Sequence, residues 1–135
     1  MAIDGAAATA MERTGSKMTA TMDQDCIFCR IAEGKLGATL VYESDHVVAF
    51  DDREPRAETH VLIIPRCHLA SATALTRGDD SLLGEIFEAA STVAKERGID
   101  RSGFRLLTNH GEDAGQTVFH LHFHLLGGNR LGQLG

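Results

Sequence analysis

Near the C-terminus, His120, His122 and His124 alternate with Leu121, Phe123 and Leu125, and Leu126 follows. Strict alternation over this length reads as a half-buried strand. Alternate side chains share a face, so the three imidazoles line one side and the apolar residues pack under the other. Three rings in a row are costly to bury without partners, which marks the row as a site. The first and third rings stand roughly 13 Å apart at about 3.3 Å per residue. That span is too long for one zinc ion to collect all three, because Zn–N bonds are only about 2.0–2.1 Å. The pattern suits division of labour. One neutral ring is a nucleophile able to form a covalent intermediate, and its neighbours orient or donate hydrogen bonds. A zinc-dependent enzyme using one His pair plus an outside ligand is a second reading, and a histidine-rich strand with satisfied hydrogen bonds is the plainest.

The segment leading into the row, Asn109 to Phe119, carries Gly111 and Gly115 as loop punctuation. Gly115 permits close backbone approach to a ligand, and Gln116 and Thr117 add side-chain donors. Backbone N–H groups and a hydroxyl beside imidazoles suit a phosphate. Further upstream, Cys26-x-x-Cys29 has the spacing of zinc ligands. Two small buried hydrophobes would satisfy the same pattern.

The elements that must position these groups can be read from periodicity. Residues 39–42 and 46–51 form a strand pair around the turn 43–45. A third strand, 60–64, is closed by Pro65, which cannot donate to a ladder. A short helical turn fits 69–75. Asp79 or Asp80 caps a long helix reaching about Arg97, with Leu82, Leu83, Ile86, Ala90 and Val93 at helical spacing and Gly98 as its stop. Residues 104–108 and 119–126 complete about five strands. This is an α+β chain with an antiparallel sheet, one long helix and one short helix.

Composition sets the outer limits. With 135 residues and 43% apolar content the chain supports one domain. Its net charge of −6 supplies no basic field for a nucleic-acid backbone. No apolar run approaches membrane-spanning length, so neither nucleic acid nor membrane is an expected partner. Three cysteines make no disulfide framework, and a cytoplasmic, reducing setting is the expectation. Residues 1–22 hold all four methionines, and their charges cancel. They read as a flexible extension preceding a domain over 23–135.

The triad and its flanks resemble the histidine triad family of nucleotide hydrolases and transferases, whose signature is His-x-His-x-His followed by two apolar residues. Residues 115–119 and the following Gly127 and Gly128 are similar to the Hint branch, the purine nucleoside phosphoramidases. Weaker likeness reaches back through Ile27-Phe28, residues 49–52 and residues 59–65, covering roughly residues 25 to 132. The resemblance implies that His122 attacks the α-phosphorus of a nucleoside phosphoramidate or acyl-nucleotide. It implies that His124, the Gly115 N–H and the Thr117 hydroxyl hold the phosphate, that Gln116 lines the phosphate site, and that Asn109 faces the sugar and phosphate. Asp52 matches the ribose-binding acid, while Ile27, Phe28, Leu36 and Phe50 match base-contacting positions. Asp51 alternates to the opposite face, where solvation alone is expected. His46 and His110 fall outside the motif.

The resemblance also implies a homodimer, an AMP- or GMP-like purine nucleotide ligand, and structural zinc held by Cys26, Cys29, His68 and His120. With His120 so used, His60 is the remaining relay histidine. The chain departs from the branch at Arg53 and Glu54, charged where an apolar residue and a serine are usual, and at Gly37 and Glu58, where prolines are common. It also ends soon after Gly128. Two alternatives stay open: a dinucleoside polyphosphate hydrolase, against which the Gly127-Gly128 pair argues, and a nucleotide-binding regulatory module with little catalysis.

Overall fold

The computed structural model describes residues 25–134. The proposed extension over residues 1–22 lies outside them. The elements in chain order are α1 (Ile27–Ala32), β1 (Leu40–Glu43), β2 (Val47–Asp51), β3 (Thr59–Pro65), α2 (Asp80–Glu96), α3 (Ile99–Ser102), β4 (Phe104–Thr108) and β5 (Phe123–Gly127). Short 3₁₀ turns occupy Ala72–Ala74, Arg77–Asp79 and Glu112–Ala114. The five strands form one antiparallel sheet in the order β1-β2-β3-β5-β4.

The helix α2 forms where its apolar spacing requires. Leu82, Ile86, Ala89, Ala90 and Val93 recur every three to four residues and are all buried, the stripe of a helix lying on a sheet. Ahead of it, Thr76 and Asp79 form a reciprocal capping box. Behind it, Gly98 adopts the left-handed conformation at φ 72° that ends helices. The stripe packs on Val47, Ala49, Val61, Ile63, Phe123 and Leu125. Burying a side chain the size of Ile86 contributes about 1.5–3 kcal/mol.

The opposite face of the same strands carries Val48, Phe50, Leu62 and Ile64, covered by Phe28 and Ala32 of α1. The central strands β2 and β3 are therefore buried on both faces, which explains their continuous apolar runs. Arg66 ties α1 to this face, donating to the carbonyls of Ala32 and Ser44 at 3.0 Å each and to the Glu43 carboxylate at 2.9 Å.

The regular part of the histidine strand is shorter than alternation alone suggests. Pairing begins at Phe123, opposite Ile63 of β3 and Thr108 of β4, so His120 and His122 precede the ladder. Ahead of the ladder the Leu121 N–H instead reaches the carbonyl of Leu69 at 2.6 Å. At the far end of β5, a Cβ on Gly127 would stand 2.8 Å from Ile99 Cδ1 and 3.1 Å from the Gly103 carbonyl. A glycine there lets α3 close against the strand.

Candidate active site

Between α1, the cleft face of the sheet and the loop after β4 lies an open cleft of about 1180 Å³. It brings together Ile27, Phe28, Leu36, Phe50, Asp52, Asn109, Gly115, Thr117, His122 and His124. His124 points into it from β5, flanked by Leu62 and Leu107 on neighbouring strands. Phe28 stacks edge-on against Phe50 and against His122, with centroids 5.6 and 5.1 Å apart. Ile27 and Leu36 are 47% and 41% exposed, leaving an uncovered apolar rim at the mouth.

Fixed backbone partners determine which nitrogen of each ring carries hydrogen. The Arg56 N–H donates to His60 Nδ1 at 2.9 Å, so a neutral His60 carries its proton on Nε2. That Nε2 lies 2.9 Å from His124 Nδ1 and 3.4 Å from Asp52 Oδ2. Donation to His124 Nδ1 puts the His124 proton on Nε2, the one buried side-chain nitrogen or oxygen without a hydrogen-bond partner among the described residues. The site thus holds a buried N–H awaiting an acceptor. His122 Nδ1 donates to the carbonyl of His120 at 2.7 Å, leaving its Nε2 lone pair free. The backbone of His122 is pinned by Thr108, whose hydroxyl donates to its carbonyl at 2.7 Å.

Burial holds these rings neutral. Desolvation, reinforced by His122 and His60 nearby, lowers the pKa of His124 to about 4. Desolvation lowers that of His60 despite the opposing Asp52 carboxylate. Asp52, His60 and His124 lie close enough to share a metal ion, but His60 cannot serve as a neutral ligand there. Its Nδ1 lone pair already accepts from Arg56, so coordination through Nε2 would require an imidazolate. His60 and His124 instead form a hydrogen-bonded pair, with the Asp52 carboxylate beside it.

His120 faces the other way and is fully buried. Its Nε2 donates to the Pro65 carbonyl at 2.9 Å, so the Nδ1 lone pair faces Cys26 Sγ at 3.3 Å and Cys29 Sγ at 3.4 Å. His68 Nδ1 lies 3.3 Å from Cys29 Sγ. All four donor atoms fall within 4.8 Å of one another. Tetrahedral zinc with Zn–S near 2.3 Å and Zn–N near 2.0–2.1 Å sets S···N at about 3.5 Å. The donor set and the Pro65 support of His120 fit zinc. Burial lowers the pKa of His120 to about 4 against the opposing Pro65 hydrogen bond, which keeps its lone pair available.

Two residues expected at the phosphate are occupied elsewhere. The Gln116 amide is spent inside its loop, accepting from Gly111 N at 2.9 Å and donating to the carbonyls of Ala70 and Val118 at 3.0 and 3.1 Å. It braces the loop and does not line the cleft. The Gly115 N–H closes the preceding turn on the Glu112 carbonyl at 2.9 Å. The glycine is needed for its φ of 84°, since a Cβ there would meet nothing. By contrast, the Thr117 hydroxyl has no hydrogen-bond partner among the described residues.

Outside the histidine row, Asp51 is not merely solvated: Arg97 donates to both its oxygens, at 3.1 and 3.0 Å. Two histidines outside the motif hold the scaffold, His46 on Glu85 and His110 on Ser71. Arg56 was not evident from the motif. Its one sequence signal is its position four residues before His60, in the loop that follows Asp52.

The sequence and the fold both have close counterparts. A family model described as HIT domain matches residues 33–131. An uncharacterized HIT-like protein of Synechocystis sp. is 46% identical over 107 residues, covering 79% of this chain and 93% of its own. The purine nucleoside phosphoramidase of Escherichia coli strain K12 is 36% identical over 113 residues, covering 84% and 95%. Among solved structures, a HIT family hydrolase from Clostridium thermocellum superposes with a TM-score of 0.79 at 45% identity, covering 83% of this chain and 97% of that one. A histidine triad protein from Clostridium difficile gives 0.80 at 41% identity, covering 84% and 98%. With the sheet order, the paired cysteines and three histidines divided between a cleft and a buried donor cluster, these likenesses make the chain a member of the HIT domain family.

Proposed function

We propose that this protein is a hydrolase of purine nucleoside 5′-phosphoramidates. One observation carries the reading: the free Nε2 lone pair of His122 opens on the cleft beside the buried, partnerless N–H of His124. A nucleophile next to a waiting donor suits attack at phosphorus with charge developing on oxygen. The His122 Nε2 lone pair would bond to the α-phosphorus. The P–N bond to the leaving group would break, and the leaving nitrogen would take a proton from solvent and depart as the amine. Water would then attack phosphorus, the bond to His122 would break, and the nucleoside monophosphate would leave. His124 Nε2–H and the Thr117 hydroxyl would donate to phosphate oxygens.

Asp52 would take the ribose hydroxyls, and Asn109 would face the sugar and phosphate. Ile27, Phe28, Leu36 and Phe50 would hold the base on an apolar wall. Zinc on Cys26, Cys29, His68 and His120 would be structural, fixing the root of the histidine segment to α1. We read the protein as a homodimer, which exposed Phe87 on α2 and exposed Phe104 on the sheet-edge strand β4 would serve. The name of the Escherichia coli relative supports the substrate class.

Incubation with adenosine 5′-phosphoramidate should release AMP. His122→Ala should remove turnover with the fold intact by circular dichroism, and unchanged turnover would refute the mechanism. Faster turnover of dinucleoside polyphosphates would move the substrate class to that alternative. Tight AMP binding without hydrolysis of either class would make the protein a nucleotide-binding module.

A further inference from the structure

A phosphate brings negative charge into a cleft whose relay rings are neutral, in a chain of net charge −6. The cations lining the cleft are Arg53, Arg56 and Arg105. Arg105 is engaged with the Gly132 carbonyl at 3.0 Å. The guanidinium groups of Arg53 and Arg56 have no hydrogen bond or ion pair among the described residues. Of the two, Arg56 is tied to the relay: its N–H holds His60 Nδ1, and its charge acts on both His60 and His124.

The backbone presenting Arg56 is also fixed on both sides. Upstream, Asp52 Oδ1 accepts from the Glu54 N–H at 2.8 Å. Downstream, the Glu58 N–H donates to Asn129 Oδ1 at 2.6 Å. Pro55 restricts the residues between. The arginine therefore projects from a braced loop beside the ring that carries the partnerless N–H.

We propose that the Arg56 guanidinium is the cationic element of the phosphate subsite, engaging the phosphate on the His124 side of the cleft. The inference rests on the nucleotide reading of the cleft and adds to it the group that balances the ligand's charge. A guanidinium suits this role because it stays charged and presents a planar fork of donors to phosphate oxygens. None of the acids in the same cleft forms an ion pair with Arg56 among the described residues. Asp51 is paired with Arg97, and Asp52 accepts from the Glu54 N–H beside the His60 ring. Glu54, exposed on the same loop, is the remaining acid.

The test separates charge recognition from loop support by comparing AMP with adenosine. Dissociation constants for both are measured by calorimetry on the intact protein and on Arg56→Gln, Arg56→Lys and Arg53→Gln. Arg56→Gln should weaken AMP by about 10- to 100-fold, the scale of a hydrogen bond to a charged group, while adenosine affinity stays within about twofold. Arg56→Lys should recover part of the loss, since it restores the charge but not the fork of donors. Unchanged AMP affinity in Arg56→Gln overturns the assignment, as does an equal loss for AMP and adenosine, which would mark a structural role. A selective AMP loss in Arg53→Gln but not in Arg56→Gln overturns it in favour of the other arginine. Absence of AMP binding by the unmodified protein overturns the nucleotide reading and this inference together.

Discussion

The His60–His124 pair offers a test of how the buried N–H is made. His124 points its donor at the cleft because its other nitrogen accepts from His60, which in turn accepts from the Arg56 N–H. Deleting the donor itself, with His124→Ala, removes one preorganised hydrogen bond to developing charge and should lower kcat by about 10²–10³-fold, or roughly 2.7–4 kcal/mol. Deleting His60 leaves the donor ring in place but free to carry its proton on either nitrogen and to turn. That should cost less, about 10–100-fold in kcat, or roughly 1.4–2.7 kcal/mol at 1.36 kcal/mol per tenfold. If His60 acts through that one N–H, His60→Ala in the His124→Ala background should change kcat by no more than about threefold, leaving a coupling energy near the whole His60 effect. The assay is single-turnover release of AMP from adenosine 5′-phosphoramidate, with thermal melts because His60 is buried. Fully additive losses would refute the relay and give His60 a role independent of His124.

Three further outcomes follow from the geometry. Loading the Cys26, Cys29, His68 and His120 cluster with zinc should raise Tm by roughly 10 °C or more, and chelation or Cys26→Ser should reverse the gain, because ligand held at 100–1,000 times its Kd contributes about 2.7–4.1 kcal/mol; a melt insensitive to added zinc and to its chelation would argue against the site. Gly127→Ala should destabilise by about 1–3 kcal/mol through crowding of Ile99 and the Gly103 carbonyl, with partial relief by Ile99→Val in urea unfolding. His124 has its native pKa lowered to about 4 from 6.5, so between those values the unfolded chain binds the proton and the native one does not. Its contribution is complete above about pH 6.5 and is lost as pH falls toward 4, tilting the unfolding free energy by at most about 1.4 kcal/mol per pH unit. His124→Gln should flatten that slope in urea titrations across the window.

Much of this architecture is legible in residue spacing. Helical periodicity from Leu82 to Val93, the stop at Gly98 and the ends of the central strands need only local rules, because one buried face imposes one period. The cleft residues Asp52, Phe50 and Phe28 are legible through family pattern, and the fold gathers them along one cleft. What spacing does not carry is where polar groups spend their hydrogen bonds. Gln116 and Gly115 sit beside the triad in sequence, yet their donors close a turn, since that loop's backbone must be satisfied before a ligand arrives. Asp51 looks solvent-bound until α2 brings Arg97 across 46 residues. The helix α1 is too short for periodicity to reveal and depends on packing over Phe50 and Ile64.

The same reasoning explains why three chemically identical rings acquire different tasks. Alternation can place His120, His122 and His124 on one side, but a neutral imidazole has two tautomers, and a backbone group at a fixed distance selects between them. The Pro65 carbonyl takes a proton from His120 Nε2 and turns its lone pair on the cysteines. The His120 carbonyl takes one from His122 Nδ1 and turns that lone pair on the cleft. The Arg56 N–H, acting through His60, gives His124 the opposite polarity, a donor where its neighbour has an acceptor. Each selector comes from a different stretch: the end of β3, the residue two positions before His122, and the loop after β2. Moving the triad to another strand would keep its spacing and lose its chemistry, because the specificity of each ring resides in those three backbone atoms.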